Sequence, residues 1–323
     1  MRRKDLAALL LCLTAAVLAL GALRFRALRQ TEGEARSPAP PTPQTELSSP
    51  TPETAPPDSA LPVSDPAGAD APADGAGSTE GPAPEELVGE ALLRFAGEQP
   101  GRWSLYWQRL PAGEPVYVAS DGEPMVSASL IKLCIMGTVY ARLEQGELDR
   151  ETVYPLLRAM IAVSDNASAN ALIRLLGGGD AEAGMRSVNA WCEAEGLADT
   201  SLQRLMLQDN GLQNYTSAGD CGRLLAAIYR GELVSEQASE EMRELLLQQT
   251  VNDRLPALLP PGTPVAHKTG DLSGLCCGDA GIVYSPGGDY VLCAICNDQP
   301  YDAAARDAIA ALSAQIWALT AAG

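Results

Sequence analysis

The chemistry in this chain rests on two lysines and two serines. Lysine is scarce: only Lys4, Lys132 and Lys268 occur among 323 residues, and arginine supplies the remaining positive charge. A lysine kept where arginine is otherwise used can do what a guanidinium cannot, namely give up its proton near neutral pH. In Ser129-Leu-Ile-Lys132 the two side chains stand at i and i+3 and share one helix face. A serine hydroxyl becomes a nucleophile when a base takes its proton. A lysine serves as that base when burial or a neighbouring positive charge lowers its pKa. A serine near a helix start also places backbone N–H groups beside developing negative charge. Ser164-Asp165-Asn166 precedes a second helical run, and Lys268-Thr269-Gly270 follows the strand-like Val265-Ala266-His267. Each motif alone has a plainer reading: a capping serine with a surface lysine, an N-cap cluster, and a strand end with an exposed lysine.

Other chemistries are excluded more firmly. With one histidine in the chain, no multi-histidine metal site is available, and neither a metal nor a cofactor is expected. Strand alternation puts His267 and Lys268 on opposite faces, so a Ser-His-Asp mechanism has little support. Lys and Arg number 23 against 41 Asp and Glu, a formal charge of −18. Sequence-independent binding to nucleic acid, which needs a basic face, is thereby excluded.

The elements that must position these residues fall in the last 240 or so positions. Residues 85–98 show helical spacing of Leu87, Ala91, Leu92 and Phe95. Residues 102–110 and 116–120 are strand-like, joined through Pro111 and Gly113. A mostly helical stretch over 127–259 includes runs at 167–176, 181–195, 217–229 and 235–249. Strand-like runs at 264–269, 281–284 and 290–296 follow, and a helix over 303–320 closes the chain. Strands at both ends with helices between them predict an α+β fold. One antiparallel sheet is flanked by the first and last helices, and the inserted helices form a separate lobe.

Two segments precede this domain. Residues 6–23 are apolar apart from Thr14, long enough for a membrane-spanning helix, with three basic residues on either side. An uncleaved anchor and a cleaved signal peptide are both open; the arginines directly after the segment favour the anchor, and either means export. Thirteen of the 24 prolines lie in 30–86, and from Ser37 to Leu93 there are ten acidic residues and no basic one. Such a composition predicts a disordered, self-repelling tether. The organisation expected is therefore an anchor or signal segment at 1–29, a linker at 30–84 and a folded domain at 85–323. The protein is expected at the cell membrane with that domain extracytoplasmic, or secreted if the segment is cut, and as a monomer.

Taken together and in this order, the three motifs make the domain resemble the class A β-lactamase-like serine hydrolases, from about residue 85 to 323. The resemblance implies a β-lactamase/transpeptidase-like fold with a five-stranded antiparallel sheet. It implies that Ser129 is acylated, that Lys132 accepts its proton, and that Ser164 passes a proton to the leaving nitrogen. Asn166 would hold the substrate's amide side chain, and Lys268 and Thr269 its carboxylate, with Lys268 helping to keep Lys132 neutral. The backbone N–H groups of Ser129 and Asp271 would form the oxyanion hole. The partners implied are β-lactams or the peptidoglycan stem peptides ending in D-Ala-D-Ala that they mimic.

Two departures stand out. Class A β-lactamases carry R-x-E-x-x-L-N, whose glutamate activates the water that cleaves the acyl-enzyme. The best match here, Arg204 to Asn210, has Met206 at the glutamate position, and no acid lies between Asp199 and Asp209. Acylation through Lys132 can proceed, but deacylation lacks its usual base unless Asp209 or Lys132 activates a water. Only 35 positions separate Ser129 from Ser164, so the helical lobe is trimmed. Three readings follow: a β-lactamase, a penicillin-binding DD-carboxypeptidase-like enzyme with slow deacylation, and a non-catalytic module that binds cell-wall peptide. The domain holds seven cysteines, an odd number. Cys293 and Cys296 point opposite ways. Cys276 and Cys277 could bridge to the Cys293 strand, although buried thiols are the favoured expectation.

Overall fold

A computed structural model describes residues 83–299 and 301–321. The anchor and linker segments expected at 1–29 and 30–84 lie, but for its last two positions, outside the described residues. Among the described residues no helix is long and apolar enough to cross a membrane.

The first helix, α1 (Pro84–Glu98), starts with a proline in its first turn, where the missing N–H costs nothing, and has Glu85 and Glu86 facing the positive end of its dipole. Strands β1 (Arg102–Arg109) and β2 (Val116–Ala119) follow. A two-residue strand, β3 (Met125–Val126), leads into a 3₁₀ turn (Ala128–Ile131) and then α2 (Lys132–Glu144). The lobe continues with α3 (Arg150–Ala162), α4 (Asn166–Leu176), α5 (Ala181–Ala194), β4 (Tyr215–Thr216), α6 (Ala218–Arg230) and α7 (Glu236–Leu246). The chain returns through β5 (Val265–Leu272), β6 (Cys276–Val283) and β7 (Tyr290–Asn297) and ends in α8 (Asp302–Ala321). Five strands make one antiparallel sheet in the order β2-β1-β7-β6-β5, and β3 pairs with β4 in a separate two-stranded sheet. The architecture is the expected α+β fold, although the β3–β4 pair has no counterpart in the sequence expectation.

Alternation along β1 sorts the core into two layers. Trp103, Leu105 and Trp107 join Leu92, Phe95, Ile309 and Ile316 of α1 and α8 on one face. Tyr106 turns to the other face, towards the lobe, with Ile131, Ile135, Leu172 and Leu225. Central strands β6 and β7 are buried along their whole length, so both faces of the sheet are covered. Capping residues set the lobe's helix starts: Asp149, Asp165, Asp180, Ser217 and Ser235 each accept a backbone N–H from the first turn of the following helix.

Two strand ends differ from expectation for one reason, pairing. β6 begins at Cys276 rather than 281, because Cys276-Cys277-Gly278-Asp279 has little strand propensity of its own but is hydrogen-bonded on both sides, to β5 and β7. β5 does not end at 269; it runs on to Leu272, and the turn falls at Gly274, with φ 73°. Gly270 serves close approach instead. A Cβ there would lie 2.9 Å from Ser127 O and 2.9 Å from Leu130 Cγ, so glycine lets the turn carrying Ser129 rest directly on β5. All seven described cysteines are buried free thiols. The residue opposite Cys277 is Cys296, while Cys293 faces Ala280, so the possible bridge to Cys293 is not formed.

Helices α4 and α5 meet backbone to backbone at Gly184, where a Cβ would lie 1.7 Å from Ile173 O. Gly184→Ala is expected to cost about 3 kcal/mol in urea denaturation, since neither backbone can give way without separating the helices. Gly97→Ala, in α1 with nothing within 4 Å of the added methyl, is expected to gain about 0.5–1 kcal/mol. Equal effects from the two substitutions would contradict this packing.

Candidate active site

Ser129 lies in the 3₁₀ turn, half-buried, immediately before α2. Ala128 ahead of it has φ 44°, a left-handed conformation unfavourable for a side-chain-bearing residue. The turn is held by Ser127 N donating to Asn214 O at 2.8 Å and Leu130 N donating to Ser127 O at 2.9 Å. The strand before it is held by Val126 N donating to Asn297 Oδ1 at 2.7 Å.

Lys132 and Lys268 are both completely buried, and their amines converge on one hydroxyl. Lys132 Nζ donates to Ser164 Oγ at 3.1 Å, to Ser164 O at 2.6 Å and to Asn166 Oδ1 at 2.8 Å. Lys268 Nζ donates to Ser164 Oγ at 2.9 Å and to Thr269 O at 2.9 Å. A hydroxyl has two acceptor lone pairs and one proton. With both lone pairs engaged by amines, the Ser164 proton is left for a further acceptor. Asn166 Oδ1 is likewise taken by Lys132, which leaves its NH₂ for a ligand carbonyl. Ser164 itself has φ 58°, a second left-handed residue at this point.

Burial lowers both amines. Lys132 is pulled down to about 8 by desolvation, opposed by the charge of Asp165. Lys268 is pulled down to about 7, by desolvation first and by the Lys132 charge second. Burial is the larger cause for both, and because the two amines share one hydroxyl, a charge on either disfavours a charge on the other. Asp165 is held below the usual carboxylate range by its capping bonds from Ser168.

Ser129, Asn166, Met206 and Asp271 line one pocket together with Ala128, Arg204, Leu207, Gln213, Asn214 and Leu272. Lys268, Thr269 and Gly270 lie on β5, the edge strand of the sheet, so one row of its backbone groups faces away from β6. His267 is directed elsewhere, with Nδ1 2.9 Å from Asp279 Oδ1 and Nε2 3.0 Å from Asn252 Oδ1.

The loop aligned with R-x-E-x-x-L-N puts Met206 in the pocket wall, 7% exposed. Asn170 pins its backbone on both sides: Met206 N donates to Asn170 Oδ1 at 2.7 Å and Asn170 Nδ2 donates to Met206 O at 3.1 Å. Arg204 Nη2 donates to Gln213 Oε1 at 2.9 Å. Asn214 is buried, and its Oδ1 accepts from Gln203 N and Arg204 N. Asp209 and Asn210 are exposed and do not line the pocket, and Asn210 Oδ1 accepts from Leu212 N instead. Asn170 and Asn214 were not expected at the site. Asn170 carried a signal, since it follows Asn166 by four and so shares its face of α4. Asn214 carried none.

The fold and this arrangement define the class A β-lactamase-like serine hydrolases. The chain belongs to the beta-lactamase enzyme family, whose model matches residues 88–156 and 152–320. It is similar to the extended-spectrum beta-lactamase PER-1 of Pseudomonas aeruginosa, 29% identical over 184 residues, which are 53% of this chain and 58% of PER-1. The chain spans about half the length of the curated relatives it matches. Among solved structures it is similar to PBP-A, with 25% identity, a TM-score of 0.63, and coverage of 72% of this chain and 95% of that one. It is also similar to a mutant of PBP-A in an acyl-enzyme complex with penicillin G, with 24% identity, a TM-score of 0.64, and coverage of 72% and 96%.

The two amines make a pH prediction with a definite sign. Their folded-state values, about 8 and about 7, lie below the ordinary 10.5. Between about 7 and 10.5 the folded chain therefore binds fewer protons than the unfolded chain, and stability rises with pH through that window. Below it both states carry the charges and the contribution is flat. Urea midpoints measured from pH 6 upwards are expected to climb in the wild type and to climb less in Lys268→Met; parallel curves would contradict a desolvated pair.

Proposed function

We propose that the protein is an exported, membrane-tethered serine acyl hydrolase that forms a Ser129 acyl-enzyme with β-lactams or with the D-Ala-D-Ala-like peptides they mimic, and releases it slowly. The observation that carries this reading is the Ser164 hydroxyl held between the Lys132 and Lys268 amines.

That geometry supports the later part of a proton path; for the first transfer the neutral Lys132 amine releases one of its three donated bonds and turns its lone pair to Ser129. Neutral Lys132 takes the proton from Ser129 Oγ as the oxygen attacks the carbonyl carbon. The oxyanion is met by the backbone N–H groups of Ser129 and Asp271. The C–N bond then breaks, Ser164 gives its proton to the departing nitrogen, and Lys132 restores it across the 3.1 Å hydrogen bond. The substrate lies along the open edge of β5, its amide carbonyl on Asn166 and its carboxylate on Lys268 and Thr269. A mutant of the relative PBP-A forms an acyl-enzyme complex with penicillin G, which favours the same first step here.

Slow release is favoured by Met206. A thioether cannot take a proton from water. Among the residues lining the pocket the one carboxylate belongs to Asp271, and two arginines already hold it. Export and tethering rest on the composition of residues 1–84 alone.

Incubation of the purified protein with a chromogenic cephalosporin, followed by intact mass over time, is expected to show a persistent adduct that is lost in Ser129→Ala. Rapid turnover without an adduct would support a β-lactamase despite Met206. Neither adduct nor turnover, with peptide binding retained, would support the binding module. Acylation is expected to speed up as pH rises through about 8, where the Lys132 amine becomes the free base.

Met206→Glu is expected to shorten the adduct's lifetime by at least about tenfold, the lower range for an added general base. An unchanged lifetime would count against the loop assignment.

A further inference from the structure

We propose that Asp271, in the wall of the Ser129 pocket, sets its anion selectivity by occupying the two guanidiniums that lie behind it; this rests on the acyl-serine reading above. An acid directly after Lys268-Thr269-Gly270 is out of place beside groups meant for a substrate carboxylate. Alternation along β5 puts Asp271 on the same face as Thr269, about 7 Å away. A fixed anion there repels a bound one unless it is neutralised.

Its neutralisation is built into the fold. Arg254, wholly buried, donates through Nη2 to the Asp271 carboxylate. Arg306 of α8 donates from Nη2 to Asp271 Oδ1 at 3.0 Å. Asp253 closes the ring, 3.1 Å from Arg254 Nη1 and 3.6 Å from Arg306 Nε. Two positive and two negative groups thus cancel. Arg254 Nη1 and Arg306 Nε are both buried without a hydrogen-bond partner, so the Asp253 contacts are charge contacts with poor alignment. The ring therefore retains unused donor capacity, and the best-aligned donors are spent on Asp271.

The consequence is a division of labour. Of the four groups only Asp271 lines the pocket; it holds both guanidiniums to itself, and a substrate carboxylate is left Lys268 and Thr269 alone. Freed of Asp271, Arg254 and Arg306 become an anion receptor behind that wall. Freed of Arg306, Asp271 becomes a partly uncompensated negative charge there. The two changes move carboxylate recognition in opposite directions, which a purely structural clasp between β5 and α8 would not do. Asp271 acts through the arginines and is a positioning residue.

The test compares benzylpenicillin with its methyl ester on the full-length protein. With each compound the Ser129 oxygen attacks the lactam carbonyl, the C–N bond opens, and the serine proton ends on the ring nitrogen; the two differ only in the carboxylate's charge. Acylation rate constants are read from the mass of the adduct against time, and the readout is the acid-to-ester ratio within each variant, which cancels general effects on folding or chemistry. Asp271→Asn is expected to raise that ratio about tenfold, the scale of one charge-assisted hydrogen bond gained, and Arg306→Gln to lower it. Ratios unchanged in both variants, or shifted the same way in both, overturn the proposal while leaving the acyl-serine reading standing. Absence of any Ser129 adduct in the wild type, from either compound, overturns that reading and this proposal with it.

Discussion

One hydroxyl shared by two buried amines is the constraint around which this domain is arranged. Ser164 comes from the helical lobe, Lys268 from the sheet and Lys132 from the helix that follows Ser129. No charged amine is buried without loss, and two within reach of one oxygen compound the loss. Both are therefore held with depressed proton affinity, and each needs every acceptor the fold can supply: a backbone carbonyl of Ser164, a carbonyl of Thr269, an amide oxygen of Asn166. The lobe is clamped to the sheet at the place where chemistry requires it.

The backbone around that hydroxyl carries strain consistent with this. Ala128, Ser164 and Leu207 all adopt left-handed φ values without being glycine, and all three border the pocket or its amines. Such conformations persist only where surrounding contacts over-determine them. Those contacts are visible: β5 packs against the Ser129 turn at Gly270, Asn170 grips Met206 from both sides, and Asn214 ties the loop back to Arg204. The loop bearing Met206 is thus presented rigidly to the pocket, although the residue presented has no acid–base chemistry.

How much of this the sequence revealed depends on how local the cause was. Helices with a clear apolar stripe and a Ser or Asp cap, such as α6 after Ser217 and α7 after Ser235, stood out because their signals lie within one turn. Strand β6 did not, because Cys276 to Asp279 become a strand only when β5 and β7 pair with them. The motif residues could be named because Ser, Lys and Asn types at fixed spacing imply a mechanism. Their meeting point at Ser164 Oγ could not, since it joins positions 32 and 104 apart in the chain. Arg254 was invisible for the same reason. It is one arginine among many in a proline-rich return loop, and its significance arises only when that loop folds under β5 beside Asp271.

Charge at two scales completes the physical picture. The chain as a whole carries −18, a field that on its own disfavours the approach of anionic small molecules. At physiological ionic strength that field is screened beyond about 8 Å. What a ligand meets in the pocket is then set by its nearest groups: the Lys132 and Lys268 amines that hold Ser164, and Asp271 in the pocket wall, its charge cancelled within the ring of Arg254, Arg306 and Asp253. The two lysines among the described residues are both spent here, where burial makes a small, strongly hydrated ammonium give up its proton more readily and would not do so for a guanidinium. An acidic surface and a locally cationic, proton-exchanging centre are therefore compatible, because burial separates the two and water screens one from the other.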